Sequence, residues 1–164
     1  MSNTTQNLKE AFAGESQANR RYLAFARKAE AEGMKGIARL FRAAAEAETI
    51  HALSHLQVLG EVGSTEDNLR AAASGETYEF EQMYPGFIST AKNEENGPAE
   101  KTFTYAMKAE MVHADLFRQA LQRIGSGAEP YYYVCGVCGH ITDSEPADKC
   151  PICGSSPKAY RRIE

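Results

Sequence analysis

The sequence predicts an all-α four-helix bundle with a long crossover, joined to a small metal-organised domain, and three observations carry that prediction. Residues 1–124 are rich in Ala, Glu, Arg and Leu, and their apolar residues recur at three-four spacing. Residues 130–164 hold all four cysteines and four of the six prolines. Between them runs Gly125-Ser126-Gly127-Ala128-Glu129-Pro130, where Gly and Ser leave the backbone unrestrained and Pro stops the preceding helix. The expected division is a helical domain at 1–124, a linker at 125–130 and a cysteine domain at 131–164.

Helix 1 is expected at residues 5–32, ending at Gly33, and helix 2 at 35–59, ending at Gly60; both glycines suit the left-handed position after a helix. Helix 3 is expected at 76–93 with a kink at Pro85-Gly86. Helix 4 starts at Pro98, a good first-turn residue, and runs to 124. Short connections within each pair make antiparallel neighbours. Residues 61–75 form the long connection, with a short helix at 65–73. A helix of about 27 residues is roughly 40 Å long, a distance these residues can span, and such a crossover gives ferritin-like topology. The chain also echoes itself. Glu15 to Gly33 and Glu79 to Gly97 are the same number of steps, and Phe41-x6-Glu48-x2-His51-Ala52 recurs as Phe103-x6-Glu110-x2-His113-Ala114.

Each apolar stripe is interrupted by groups that do not belong in an oily interior. Helix 1 presents Leu8, Phe12, Glu15, Asn19, Tyr22, Ala26 and Ala29; helix 2 presents Phe41, Ala44, Glu48, His51, His55 and Val58. Helix 4 presents Phe103, Met107, Glu110, His113 and Phe117, and helix 3 presents Glu79, Gln82, Met83 and Thr90. Glu15, Glu48, Glu79 and Glu110 would then meet inside the bundle with His51 and His113. Unpaired buried carboxylates cost several kcal/mol each, and their repulsion forces some to protonate. Two divalent cations cancel four carboxylates, with neutral imidazoles completing the coordination. That is the donor set of di-iron carboxylate bundles, one Glu from each of two helices and Glu-x-x-His from each of the others. On this reading Glu48 and Glu110 bridge the metals, Glu15 and Glu79 are terminal, and Tyr22 hydrogen-bonds a ligand carboxylate. His55 is assigned a supporting or packing role, because the helix lacks the catalytic Glu of a zinc protease motif.

Cys135-Gly-Val-Cys138-Gly139 and Cys150-Pro-Ile-Cys153-Gly154 form a four-thiolate site, which zinc and iron fit equally. Tyr131, Tyr132, Tyr133, Ile141 and Tyr160 supply its core. With 18 basic against 22 acidic residues, the net charge of -4 gives no electrostatic footprint for nucleic acid. No basic, apolar leader and no membrane-length apolar run is present, so the expected address is cytoplasmic.

Taken together, Gly14-Glu15-Ser16, Glu48-x-x-His51, Tyr78-Glu79, Met83-Tyr84-Pro85, Glu110-x-x-His113 and the two cysteine pairs resemble the rubrerythrins along nearly the whole chain. The resemblance implies a ferritin-like di-iron bundle followed by a rubredoxin-like domain holding one iron. It implies homodimers or larger assemblies, and reduction of hydrogen peroxide to water with electrons from an NAD(P)H-linked reductase. It also implies Glu-x-x-Glu-Met-Tyr-Pro, where this chain, aligned on Glu79, has Gln82 at the second acidic position. That alignment leaves four Glu and two His, as in bacterioferritin, with His51 a permanent ligand. The competing readings are an iron-oxidising storage protein and a zinc-ribbon interaction module on a structural bundle.

Overall fold

The computed structural model describes residues 2–127 and 129–164; Met1, and Ala128 within the expected linker, lie outside the described residues. Two compact units appear, residues 1–63 and residues 64–164.

The first unit is an antiparallel hairpin of α1 (Asn3–Ala31) and α2 (Lys35–Leu59). The Ser2 side chain accepts the Thr5 N–H and caps the start of α1. Close approach of the helices rests on small residues: Ala26 and Ala29 of α1 and Ala38, Ala45 and Ala52 of α2 are all buried. The three alanines of α2 recur every seventh residue, so one seam faces α1 along its length. Asn19 ties the pair together in the middle, its Nδ2 donating to the Ala45 carbonyl at 2.7 Å and to Thr49 Oγ1 at 2.8 Å.

In the second unit α3 (Thr65–Tyr78) opens on a reciprocal cap between Ser64 and Asp67. It continues without a break through one π-helical turn, Glu79–Met83, into α4 (Tyr84–Asn93). This corrects three expectations. The helix expected at 65–73 is not separate, the long connection contracts to residues 60–64, and the irregularity precedes Pro85 instead of falling on Pro85-Gly86. The physical reason is that the Tyr84 N–H reaches back five residues to the Glu79 carbonyl. Pro85, which has no N–H, needs no partner in the turn that follows. Helix α5 (Gly97–Arg123) returns antiparallel and packs against α3 and α4.

The turns of the two hairpins are copies. Glu32, Gly33 and Met34 donate to the carbonyls of Lys28, Glu30 and Ala29, and Glu94, Glu95 and Asn96 donate to those of Thr90, Lys92 and Ala91. The left-handed residue is Gly33 in one and Glu95 in the other, with φ of 77° and 54°. The structural equivalent of Gly33 is therefore Glu95, not Gly97. The rings repeat as well: Tyr22, Phe25 and Phe41 cluster in the first hairpin, and Tyr84, Phe87 and Phe103 in the second.

The second unit ends in a three-stranded antiparallel sheet of order β2-β1-β3, with β1 (Tyr132–Cys135) central between β2 (Ile141–Thr142) and β3 (Tyr160–Ile163). Val134 faces Ile141 and Cys135 faces Tyr160 across the ladders. The sheet lies beside α5, where Leu116, Phe117, Val134, Ile141 and Ile163 line an apolar cavity and Arg123 pairs with Asp143 at 3.1 Å.

Candidate metal centres

Among the described residues, three groups of side chains bring metal-ligating atoms within 4.8 Å of one another: Glu15, Glu48 and His51; Glu76, Glu110 and His113; and the four cysteines. The first lies on the α1–α2 hairpin. His51 Nδ1 is 3.0 Å from Glu48 and 4.0 Å from Glu15. The two glutamates also share a hydrogen bond, which raises the pKa of Glu15 and lowers that of Glu48, the pattern of two carboxyls sharing one proton. Tyr22 packs its ring on Phe25 and Phe41 in the same hairpin.

The second group repeats this geometry, with His113 Nδ1 at 2.6 Å from Glu110 and 3.7 Å from Glu76. Glu76 was not singled out from the sequence. Burial and the neighbouring Glu110 push its carboxyl up to about 7. Glu79 stands one turn on, its pKa raised by burial and then by Glu110. Tyr84 is raised too, by burial and by Glu79, Glu110 and Glu76. The acidic pair expected at 79 and 82 thus falls one turn earlier, at Glu76 and Glu79. Gln82 lines a different pocket with Glu81, Ser74, Thr77 and Arg118. A countable signal for Glu76 existed: Glu79 and Glu76 are three apart, and the π-turn inserts one residue into the internal repeat.

His113 is also held from its other side. Its Nε2–H donates to the Gly139 carbonyl at 3.0 Å, which leaves the Nδ1 lone pair aimed at the carboxylates, the tautomer a metal ligand needs. Burial works against protonation of this imidazole, but the bonds to Glu110 and Gly139 outweigh it and raise its pKa.

In the cysteine domain the sulfurs of Cys135 and Cys153 are 3.7 Å apart, and those of Cys138 and Cys150 are 3.4 Å apart. The edge of a tetrahedron with metal–sulfur bonds of about 2.3 Å is close to these spacings. Two equivalent turns present them: the N–H groups of Gly139 and Gly154 bond to the carbonyls of Cys135 and Cys150, both glycines at positive φ. Burial pushes the Cys138 thiol up. Burial would also raise Cys150, but hydrogen bonds from Tyr160 and from the backbone of Cys153 and Ile152 bring it down to about 6. The donor chemistry of all three groups fits iron.

Residues 6–121 match the family described as Rubrerythrin. The chain belongs to the rubrerythrin family. Residues 133–161 match the description Rubrerythrin, rubredoxin-like domain. Rubrerythrin-2 of Clostridium acetobutylicum is 40% identical, covering 92% of this chain and 91% of the relative. Nigerythrin of Nitratidesulfovibrio vulgaris is 39% identical over 92% of this chain and 81% of its own length. Rubrerythrin of Porphyromonas gingivalis is 36% identical over 97% and 88%. Among solved structures, the fully reduced, all-ferrous state of nigerythrin aligns with a TM-score of 0.61 at 36% identity, covering 99% of this chain and 88% of that one. Rubrerythrins are di-iron proteins of oxidative-stress defence, and membership carries their cofactors, an iron pair in a Glu/His site and one iron in the rubredoxin-like site. Among the described residues no helix is long and apolar enough to cross a membrane.

Proposed function

We propose that this rubrerythrin is a peroxidase, reducing hydrogen peroxide to water with electrons passed through the rubredoxin-like iron from an NAD(P)H-linked reductase. The observation that carries the reading is the double engagement of His113. One ring nitrogen faces Glu110 and Glu76, and the other donates to the carbonyl of Gly139, the neighbour of Cys138. One hydrogen bond and a few covalent bonds thus join the two kinds of site. An iron-storage protein has no use for such a connection, because sequestration needs no re-reduction.

When bound, the iron pair supplies the two electrons for cleavage of the O–O bond and a Lewis-acidic seat for the peroxide oxygens. The protein supplies the rest. Glu15, Glu48 and His51 on one hairpin and Glu76, Glu110 and His113 on the other are the proposed ligands, with Glu79 beside them. Two waters require two protons per turnover. Glu79 and Tyr84, both with raised pKa values, hold protons next to the site. Cys135, Cys138, Cys150 and Cys153 would hold the second kind of iron, a one-electron carrier, so two one-electron deliveries would be needed per peroxide. The compartment is proposed to be the cytoplasm, and the protein to act as a homodimer without nucleic-acid or membrane partners.

The test is NAD(P)H oxidation by the iron-loaded protein with a rubredoxin-type reductase. One NAD(P)H should be consumed per peroxide, and Cys138→Ser should lower this turnover by about 100-fold while chemically reduced bundle iron still reacts once with peroxide. Oxygen-driven iron uptake without sustained peroxide turnover would replace this reading with iron storage. A colourless, zinc-filled protein would replace it with a zinc-ribbon module.

A further inference from the structure

We propose that the hydroxyls of Ser155 and Tyr160 raise the reduction potential of the four-cysteine iron by bonding to the sulfurs of its second cysteine pair, with His140 positioning Tyr160. The inference needs only iron in that site and stands whether or not the bundle is a peroxidase. Ser155 Oγ lies 3.2 Å from the sulfur of Cys153, two residues back along the chain. A thiolate that holds a metal has no proton to give, so in the loaded site the hydroxyl is the donor. The main chain pins the same residue, because the Cys150 N–H bonds to the Ser155 carbonyl at 2.8 Å. The turn that presents the cysteine pair therefore also presents the hydroxyl.

Tyr160 serves the other sulfur of the pair. It stands opposite Cys135 across the β1–β3 ladder and hydrogen-bonds Cys150. Its oxygen is 2.8 Å from His140 Nδ1, and the two rings meet edge to face with centroids 5.9 Å apart. A phenol has one proton to give. With that proton on the Cys150 thiolate, which can only accept, the phenol oxygen accepts from His140 Nδ1–H, and the imidazole tautomer is fixed. His140 is buried and anchored through its main chain: its carbonyl accepts the Cys135 N–H at 2.9 Å, and its own N–H bonds to the Cys138 sulfur. The phenol is thus aimed at Cys150, itself buried, where little water competes for the bond. Reduction adds one negative charge to a site of four thiolates, and the sulfurs take up part of it. Hydrogen bonds to sulfur therefore stabilise the ferrous form more than the ferric and raise the potential.

The test is a redox titration of the iron-loaded, full-length protein followed by visible absorption. Ser155→Ala and Tyr160→Phe should each lower the ferrous-to-ferric ratio at a fixed ambient potential about tenfold, which for one electron is a potential lower by about 59 mV. Ser155→Thr keeps the hydroxyl and should titrate with the wild type. His140→Phe frees the phenol without removing it, and its potential should fall between those of the wild type and Tyr160→Phe. A wild-type potential in either hydroxyl-free variant would overturn the proposal, as would a shift in Ser155→Thr as large as that in Ser155→Ala. A second measurement does not depend on iron uptake. With cobalt(II) in the four-cysteine site, each lost hydrogen bond should raise the energy of the sulfur electrons and move the sulfur-to-metal absorption band to longer wavelength. Bands that stay in place would also refute the proposal.

Discussion

The two hairpins are the same device built twice, and the one break in their common spacing shows how the second gained a further acid. Tyr22 and Tyr84, Phe25 and Phe87, Gly33 and Glu95, Phe41 and Phe103, Glu48 and Glu110, and His51 and His113 are each separated by one constant interval of 62 residues. Glu15 and Glu76 are separated by 61. The extra residue between Glu76 and Tyr84 is absorbed by the π-turn at Glu79–Met83. An α-helix with one residue inserted turns its upstream part by about 100° relative to its downstream part. The π-turn takes up that rotation, so Glu76 stays against Glu110 and His113 as Glu15 does against Glu48 and His51, and Glu79 feels the charge of Glu110 as well. The first hairpin offers three donors, and the second offers three with an additional acid at hand.

Removing the inserted residue tests this most severely. Deleting Glu81 should convert the π-turn to α-helix, leaving Glu76 in the register that Glu15 holds in the first hairpin and swinging Glu79 away from Glu110 and His113. The outcome expected is far-ultraviolet circular dichroism close to wild type and bundle iron retained, read by metal analysis, with peroxide turnover lowered by about 100-fold through loss of the acid at 79. Lost iron would show that the two hairpins do not share one register.

A smaller effect is expected from pH in the metal-free protein. The Glu76 carboxyl has a folded pKa of about 7 against an ordinary value of 4.5. The folded state therefore favours its protonated form, and this contribution to stability is present below about pH 4.5 and lost as pH rises through 7. Thermal unfolding followed between those values should show Glu76→Gln losing less stability with rising pH than the parent does. Equal slopes would remove Glu76 as the source.

The turns offer a still smaller comparison. Gly33→Ala places a Cβ at a positive φ and should cost about 1 kcal/mol, whereas Glu95→Gly relieves the same conformation and should stabilise by a similar or smaller amount. Thermal melts of the two variants should move in opposite directions. The smallest effect belongs to Gln82→Glu. Because Gln82 lines the pocket with Glu81 and Arg118, bundle iron and peroxide turnover should stay at wild-type levels. A change in either would return position 82 to the metal site.

Much of this was legible before any coordinates. The Glu-x-x-His pairs lie on regular helices, so a spacing of three residues fixes their common face, and the cysteine pairs carry their own turns. Glu76 escaped because helical spacing was counted across a turn that is not α-helical. The left-handed residue closing the second hairpin also escaped, because it is Glu95 where Gly is the usual signal, and Gly97 was matched to Gly33 in its place. The contact between His113 and Gly139 joins residues 26 apart through a linker, which no local pattern encodes.

What the amino-acid order determined by itself was the inventory: helices, their polar interruptions and the four thiolates, all consequences of short-range periodicity and of the cost of enclosing charge without a counter-charge. What only the tertiary structure decided was the register in which those parts meet. A single inserted residue taken up by a π-turn changes which acids face the site while leaving local propensities unchanged, so its effect appears only once distant segments are packed against one another.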